Sequence, residues 1–175
     1  RKEYTSAFGK KWLYNIMKNA EPYRLYIRSE IQKRNMPEFL EYLPVIESSY
    51  SIKAVSKSGA TGLWQFMENS IKPYMHKNQW IDERYDPWVA TRAALSKLQD
   101  NYKTLGTWEL ALAAYNYGLG GITRIIKQNP DKDYWQLSEE GLLRTETKNY
   151  VPRLLVIADL IINSQHYEID LPILN

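Results

Sequence analysis

DPWVATRAALSKLQDNYKTLGTWELALAAYNYG, residues 86–118, reads as two consecutive helices and sets the fold class. Asp86 is an N-cap residue and Pro87 suits the first helical position, where its missing N–H costs nothing. Leu95, Leu98, Tyr102 and Leu105 then mark one face until Gly106 ends the run. Thr107 can cap the next helix, with Trp108, Ala111, Leu112 and Tyr115 on its buried side. Asn116 with Gly118, Gly120 and Gly121 is expected to break it. Downstream, Val151, Leu154, Leu155, Ala158, Ile161 and Ile162 form one more apolar stripe. Upstream, helices are expected around Ala7 to Lys18, Pro22 to Arg34, Pro37 to Glu47 and Gly62 to Tyr74, with Pro44 kinking or restarting the third.

No strand alternation of useful length occurs, and there is no repeat, low-complexity tract or Gly/Ser linker. The reading is a mainly α, single-domain helical bundle of roughly seven or eight helices spanning residues 1–175. Residues 1–36 are expected to form N-terminal helices packed on the remainder. The main irregular stretch is Ser48 to Thr61, polar and rich in small residues.

Composition narrows the function. A net charge of +3, with Lys and Arg scattered, gives no electrostatic footprint for nucleic acid but tolerates a mildly acidic polymer. Without cysteine, thiol chemistry is excluded, and His76 and His166 lack metal-ligand spacing, so neither a metal nor another cofactor is expected. The apolar run Leu154 to Ile162 contains Asp159 and is too short to span a bilayer. The chain begins at Arg1 without a methionine or an apolar leader, as expected of an excised or processed fragment. The 6 Trp and 14 Tyr against 3 Phe favour rings with a polar handle, which suit sugar-binding grooves as well as core boundaries.

The stretch Val45-Ile46-Glu47-Ser48-Ser49-Tyr50 places a carboxyl among apolar neighbours. On a helix, Glu47 follows Leu43 by four residues and Leu40 by seven, sharing their inward stripe. A carboxyl held there resists ionisation, the property a general acid needs to deliver a proton to a poor leaving-group oxygen. A lone Glu at a helix end is more often a solvated surface group.

Context outweighs that prior. Glu47-Ser48-Ser49-Tyr50, Ser56 nine residues on and Gly62-Leu63-Trp64-Gln65 closely resemble the catalytic signature of the soluble-lytic-transglycosylase family. Ala114-Tyr115-Asn116-Tyr117-Gly118 resembles its Ala-Tyr-Asn-x-Gly element, and Glu146-Thr147-Lys148-Asn149-Tyr150-Val151 its C-terminal Glu-Thr-x-x-Tyr-Val element. The Trp-Gln-Phe variant and Asn149-Tyr150-Val151-Pro152-Arg153 are most similar to the membrane-bound lytic transglycosylase D branch. The resemblance implies a lysozyme-like fold, peptidoglycan glycan strands as partner, an extracytoplasmic setting in the periplasm or envelope, and Glu47 as the single acid and base.

It also implies substrate-binding roles for Ser56, Gln65, Tyr115, Asn116, Glu146 and Tyr150. Ser56 and Gln65 are short neutral groups able to hold N-acetyl and hydroxyl groups without bringing a charge to Glu47. Their bland readings are a turn residue and a helix-surface residue; for Tyr115, Asn116 and Tyr150 the counterpart is a core or capping role, and for Glu146 a salt bridge with Arg144 or Lys148. Ser49, Glu68-Asn69-Ser70 and Tyr117 depart from the commoner family residues. A muramidase similar to goose-type lysozyme and a non-catalytic wall-binding module are the competing functions, separable by the products released, and a monomer is favoured.

Overall fold

The computed structural model describes residues 2–174. Its helices are α1 (Lys2–Thr5), α2 (Ala7–Lys33), α3 (Leu43–Ser48), α4 (Pro87–Leu105), α5 (Trp108–Tyr117), α6 (Leu119–Gln128), α7 (Tyr134–Glu139) and α8 (Thr145–Ile162). Short 3-10 turns occupy Glu38–Tyr42, Glu68–Ser70 and Glu83–Tyr85. Among the described residues, β pairing is confined to isolated bridges, Val55 with Thr61, Thr61 with Phe66 and Lys77 with Asp82. The chain divides into two compact units, one running to Ala94 and resuming at Leu154, the other Leu95–Arg153.

In the first unit, α2 replaces the two separate helices expected on either side of Pro22. Ser6 caps it by accepting from the Gly9 N–H at 3.1 Å. Leu13, Ile16, Met17 and Ala20 before the proline and Arg24, Ile27 and Ile31 after it are all buried. Their spacing stays in helical phase across the break, so burial on both sides offsets the ~3 kcal/mol cost of an interior proline. The 3-10 turn Glu38–Tyr42 packs on α2, and Pro44 restarts the chain as α3.

The helix expected over Gly62 to Tyr74 is absent. Leu63, Trp64, Phe66, Ile71 and Met75 are buried as a helical stripe requires, but they lie on turns, an isolated bridge and irregular chain. Two backbone conformations forbid the helix: φ is +82° at Gly62 and +53° at Gln65.

In the second unit, α6 and α7 both pack on α5. Gly118, with φ +104°, ends α5, but Gly120 and Gly121 lie inside α6 and stop nothing. A Cβ at Gly121 would stand 2.4 Å from the Tyr117 ring, so the glycine makes room for that side chain. The capping box between Asp133 and Gln136 starts α7. On α8, Val151, Leu154, Ala158 and Ile161 are buried as expected, whereas Leu155 and Ile162 are exposed and Ile157 and Leu160 take their places. Among the described residues no helix is long and apolar enough to cross a membrane.

Candidate active site

Glu47 sits in the last turn of α3, one turn after the buried Leu43, and is itself half-buried. The 3-10 turn at Glu38–Tyr42 takes Leu40 out of the continuous α-helical phase, so only Leu43 shares the face assumed for Glu47. The helix ends abruptly because Ser49 and Tyr50 both adopt left-handed conformations, φ +54° and +56°. Such a residue costs about 1–2 kcal/mol without glycine, so the surroundings must hold it. Tyr50 is 1% exposed and its hydroxyl donates to the Glu41 carbonyl. Burial, then the Glu41 charge, pushes that phenol well above its usual pKa, so it stays a donor.

Glu41 anchors the other side of α3. Its buried carboxylate accepts two bonds from Arg28 at 3.2 Å and lies 3.7 Å from Arg24 Nε. Arg24 is buried, and its Nε has no hydrogen-bond partner. The carboxylate is thus tied to α2 while the carbonyl of the same residue holds Tyr50, bracketing Glu47 between two fixed points. This clamp was not anticipated from the sequence.

The irregular stretch after α3 is stitched through its main chain. Ser48 Oγ donates to the Leu63 carbonyl at 2.7 Å. Gln65 Nε2 donates to the carbonyls of Ala54 and Gly62 at 3.1 and 2.8 Å, which commits both amide protons and leaves Oε1 as the group able to accept. Ser56 Oγ accepts from the Ala60 N–H at 3.0 Å while the Ser56 N–H donates to the Ala60 carbonyl, closing a tight exposed turn. Gln65 is therefore a left-handed turn residue, unlike its helix-surface reading, and Ser56 is a turn residue whose hydroxyl proton is still available to donate.

Arg84 ties this loop together and was missed at the sequence level. It is 6% exposed, and its Nη1 donates to the Gly59 and Phe66 carbonyls at 3.3 and 3.1 Å. Its Nε and Nη2 grip Asp82 at 2.8–3.2 Å. The Arg84 hydrogen bonds hold the Asp82 carboxyl below its usual pKa. Gly62 is required here, because a Cβ would fall 1.9 Å from the Arg84 carbonyl oxygen. Trp64 is fully buried and donates from Nε1 to Thr91 Oγ1 at 3.0 Å.

The second unit gathers the remaining motif residues. Asn116 Nδ2 donates to Glu146 Oε1 at 3.1 Å, and Asn116 Oδ1 accepts from Thr147 Oγ1 at 2.8 Å and Arg144 Nη2 at 3.3 Å. Arg144 also lies 3.7 Å from Glu146 and 4.8 Å over the Tyr117 ring. Glu146 is exposed and carries the Arg144 pairing that its bland reading anticipates. Half-buried Tyr115 lies under Lys97 Nζ, 5.2 Å from the ring centroid. Tyr150, one turn beyond Glu146 on α8, is buried. Glu47, Ser56 and Gln65 thus lie in the first unit, and Tyr115, Asn116, Glu146 and Tyr150 in the second.

Residues 24–138, which include Glu47, Gln65 and Asn116, match the transglycosylase SLT domain. The chain belongs to that family. This SLT domain is 37% identical over 170 residues to membrane-bound lytic murein transglycosylase D of Escherichia coli strain K12, covering 94% of the chain and 37% of that protein. It is 39% identical over 115 residues to a putative tributyltin chloride resistance protein of Alteromonas sp. strain M-1, covering 65% of the chain and 56% of that protein. Its fold is similar to the crystal structure of the 70 kDa soluble lytic transglycosylase of Escherichia coli, with a TM-score of 0.67 at 21% identity over 81% of the chain and 24% of that one. The SLT domain is mainly α and lysozyme-like, and it spans little more than a third of the Escherichia coli transglycosylase D.

Proposed function

We propose that this SLT domain is a peptidoglycan lytic transglycosylase that cleaves the β-1,4 bond between N-acetylmuramic acid and N-acetylglucosamine without water. One observation carries the assignment of Glu47. It is half-buried in the last turn of α3, whose exit is pinned by Ser48 on the Leu63 carbonyl and Tyr50 on the Glu41 carbonyl, at the position of the acid in the motif it resembles. Murein in the name of the Escherichia coli relative supports the substrate class, which in turn implies an extracytoplasmic setting in the envelope.

Glu47 protonates the glycosidic oxygen as the C1–O bond breaks. The 2-acetamido carbonyl shields C1, in place of the second carboxylate of ordinary glycosidases. The Glu47 carboxylate then takes the proton of the muramyl C6 hydroxyl while that oxygen bonds C1, closing a 1,6-anhydro ring and restoring the acid. Gln65 Oε1 accepts from, and Ser56 donates to, the sugar's N-acetyl and hydroxyl groups. Tyr115, Glu146 and Tyr150 contact the strand, and Asn116 braces Glu146 in the orientation it needs.

The test is to digest purified peptidoglycan and weigh the muropeptides. Products one water lighter than their hydrolytic counterparts are expected. Reducing-end muramyl products as the main species would reject the proposal in favour of a lysozyme-like hydrolase, and no release at all would favour a wall-binding module.

A further inference from the structure

Residues 77–82 form a tight hairpin closed by the Lys77–Asp82 bridge. Asn78 Oδ1 accepts from the N–H groups of Trp80 and Ile81 at 2.8 and 2.9 Å, and the Asn78 N–H donates to the Ile81 carbonyl at 2.8 Å. The backbone of the tip is therefore internally satisfied, and it presents an indole that is 83% exposed. An indole this exposed gains little from burial, and its flat face is open to a ligand. The hairpin base is not independent of the candidate site. Asp82 grips Arg84, whose other arm holds the Gly59 and Phe66 carbonyls of the loop carrying Ser56 and Gln65.

We propose that Trp80 is a stacking platform for one pyranose ring of the glycan strand, away from the bond being cleaved. This rests on the substrate class proposed above. Three considerations select the occupant. A single ring with Ile81 beside it offers far less than the ~800 Å² per partner of a stable protein interface, but matches the face of one sugar. Residues 68–86 hold four acids, Glu68, Asp82, Glu83 and Asp86, against Lys72, Lys77 and Arg84, which lacks the basic excess that draws a loop to anionic lipid. The rigid tip also avoids the ordering cost that a mobile loop would incur on binding.

Binding is measured in a Glu47→Gln background, so that strands are not consumed, using purified glycan strands sorted by length. Trp80→Ala is expected to weaken long-strand binding about five- to tenfold, with Trp80→Tyr restoring most of it and the shortest fragments affected least. Equal affinity for long strands with and without the indole overturns the platform. So does loss of binding to vesicles of mixed neutral and anionic phospholipid with glycan affinity unchanged, which assigns Trp80 to a membrane surface. Absence of any glycan binding with Trp80 intact overturns the platform and the substrate class together. Trp80-dependent binding by a full chain that releases no anhydro product retains the platform and rejects only the lytic activity.

Discussion

Replacing Arg84 with methionine keeps most of the side-chain volume and removes every bond its guanidinium makes. The Gly59 and Phe66 carbonyls keep one partner each, from Thr61, but lose a charge-assisted second bond. About 1 kcal/mol is reasonable for each. Asp82, whose side chain is 17% exposed, loses its counter-ion. Removing one member of a buried pair costs about 3–5 kcal/mol, and partial solvation leaves about 1–2 kcal/mol of that here. The total is about 3–4 kcal/mol, or a fall in Tm of roughly 6–16 °C for a domain of this size. Urea unfolding across a pH series is the assay. Because Arg84 lowers the folded pKa of Asp82, its contribution is complete above the unfolded carboxylate value near 4. It is lost as pH falls through the lower folded value. Arg84→Met should therefore flatten this part of the acid limb as well as lower the plateau. A plateau loss below about 1 kcal/mol with an unchanged acid limb would refute Arg84 as the loop's anchor.

Glu47→Gln should abolish release of anhydro products while leaving Tm near neutral pH unchanged or higher, since an amide of equal size needs less solvation in a half-buried position; full activity would remove Glu47 from the chemistry. Gln65→Ala loses two bonds to loop carbonyls and should cost about 1–2 kcal/mol in urea. Its turnover per folded molecule should fall by about tenfold or more, and unchanged turnover would return Gln65 to a purely structural role. Ser49→Gly relieves a left-handed residue at the exit of α3 and should stabilise by about 0.5–1 kcal/mol in thermal melts; a loss of that size would mean the serine side chain makes a contribution larger than its strain.

The long amphipathic helices were legible because their burial follows a period that survives in the sequence. Residues 86–118 yielded α4 and α5 with their Pro87 start, Thr107 cap and Gly106 stop. The same periodicity misled over 62–74. Leu63, Trp64 and Phe66 are buried because distant partners pin the turns between them, Ser48 on the Leu63 carbonyl and Arg84 on the Phe66 carbonyl, and no local pattern encodes either contact. Propensity also failed at α6, where two glycines count against a helix that packs on α5 regardless. The capping box of α7 was present as Asp133 and Gln136, and could have been read.

The candidate site divided along similar lines. Motif spacing nominated Glu47 and Gln65 as candidates. The groups that fix them, Glu41, Tyr50 and Arg84, lie in stretches that look like ordinary solvated charge or a boundary tyrosine. Their importance comes from what the fold brings to them, and only coordinates reveal it.

The polar contacts that hold the loop from Ala54 to Phe66 end mostly on its peptide groups, while the buried Leu63, Trp64 and Phe66 side chains anchor its far end. A shape specified in that way is indifferent to the side chains that face solvent. Lys57 and Ser58 are exposed at the tip of this loop, so variation there leaves the architecture intact. The freedom stops at Gly62, at the buried Leu63, Trp64 and Phe66, at Gln65 and at the guanidinium of Arg84. The exposed tip of this segment can thus be varied in the laboratory without disturbing the frame that holds it.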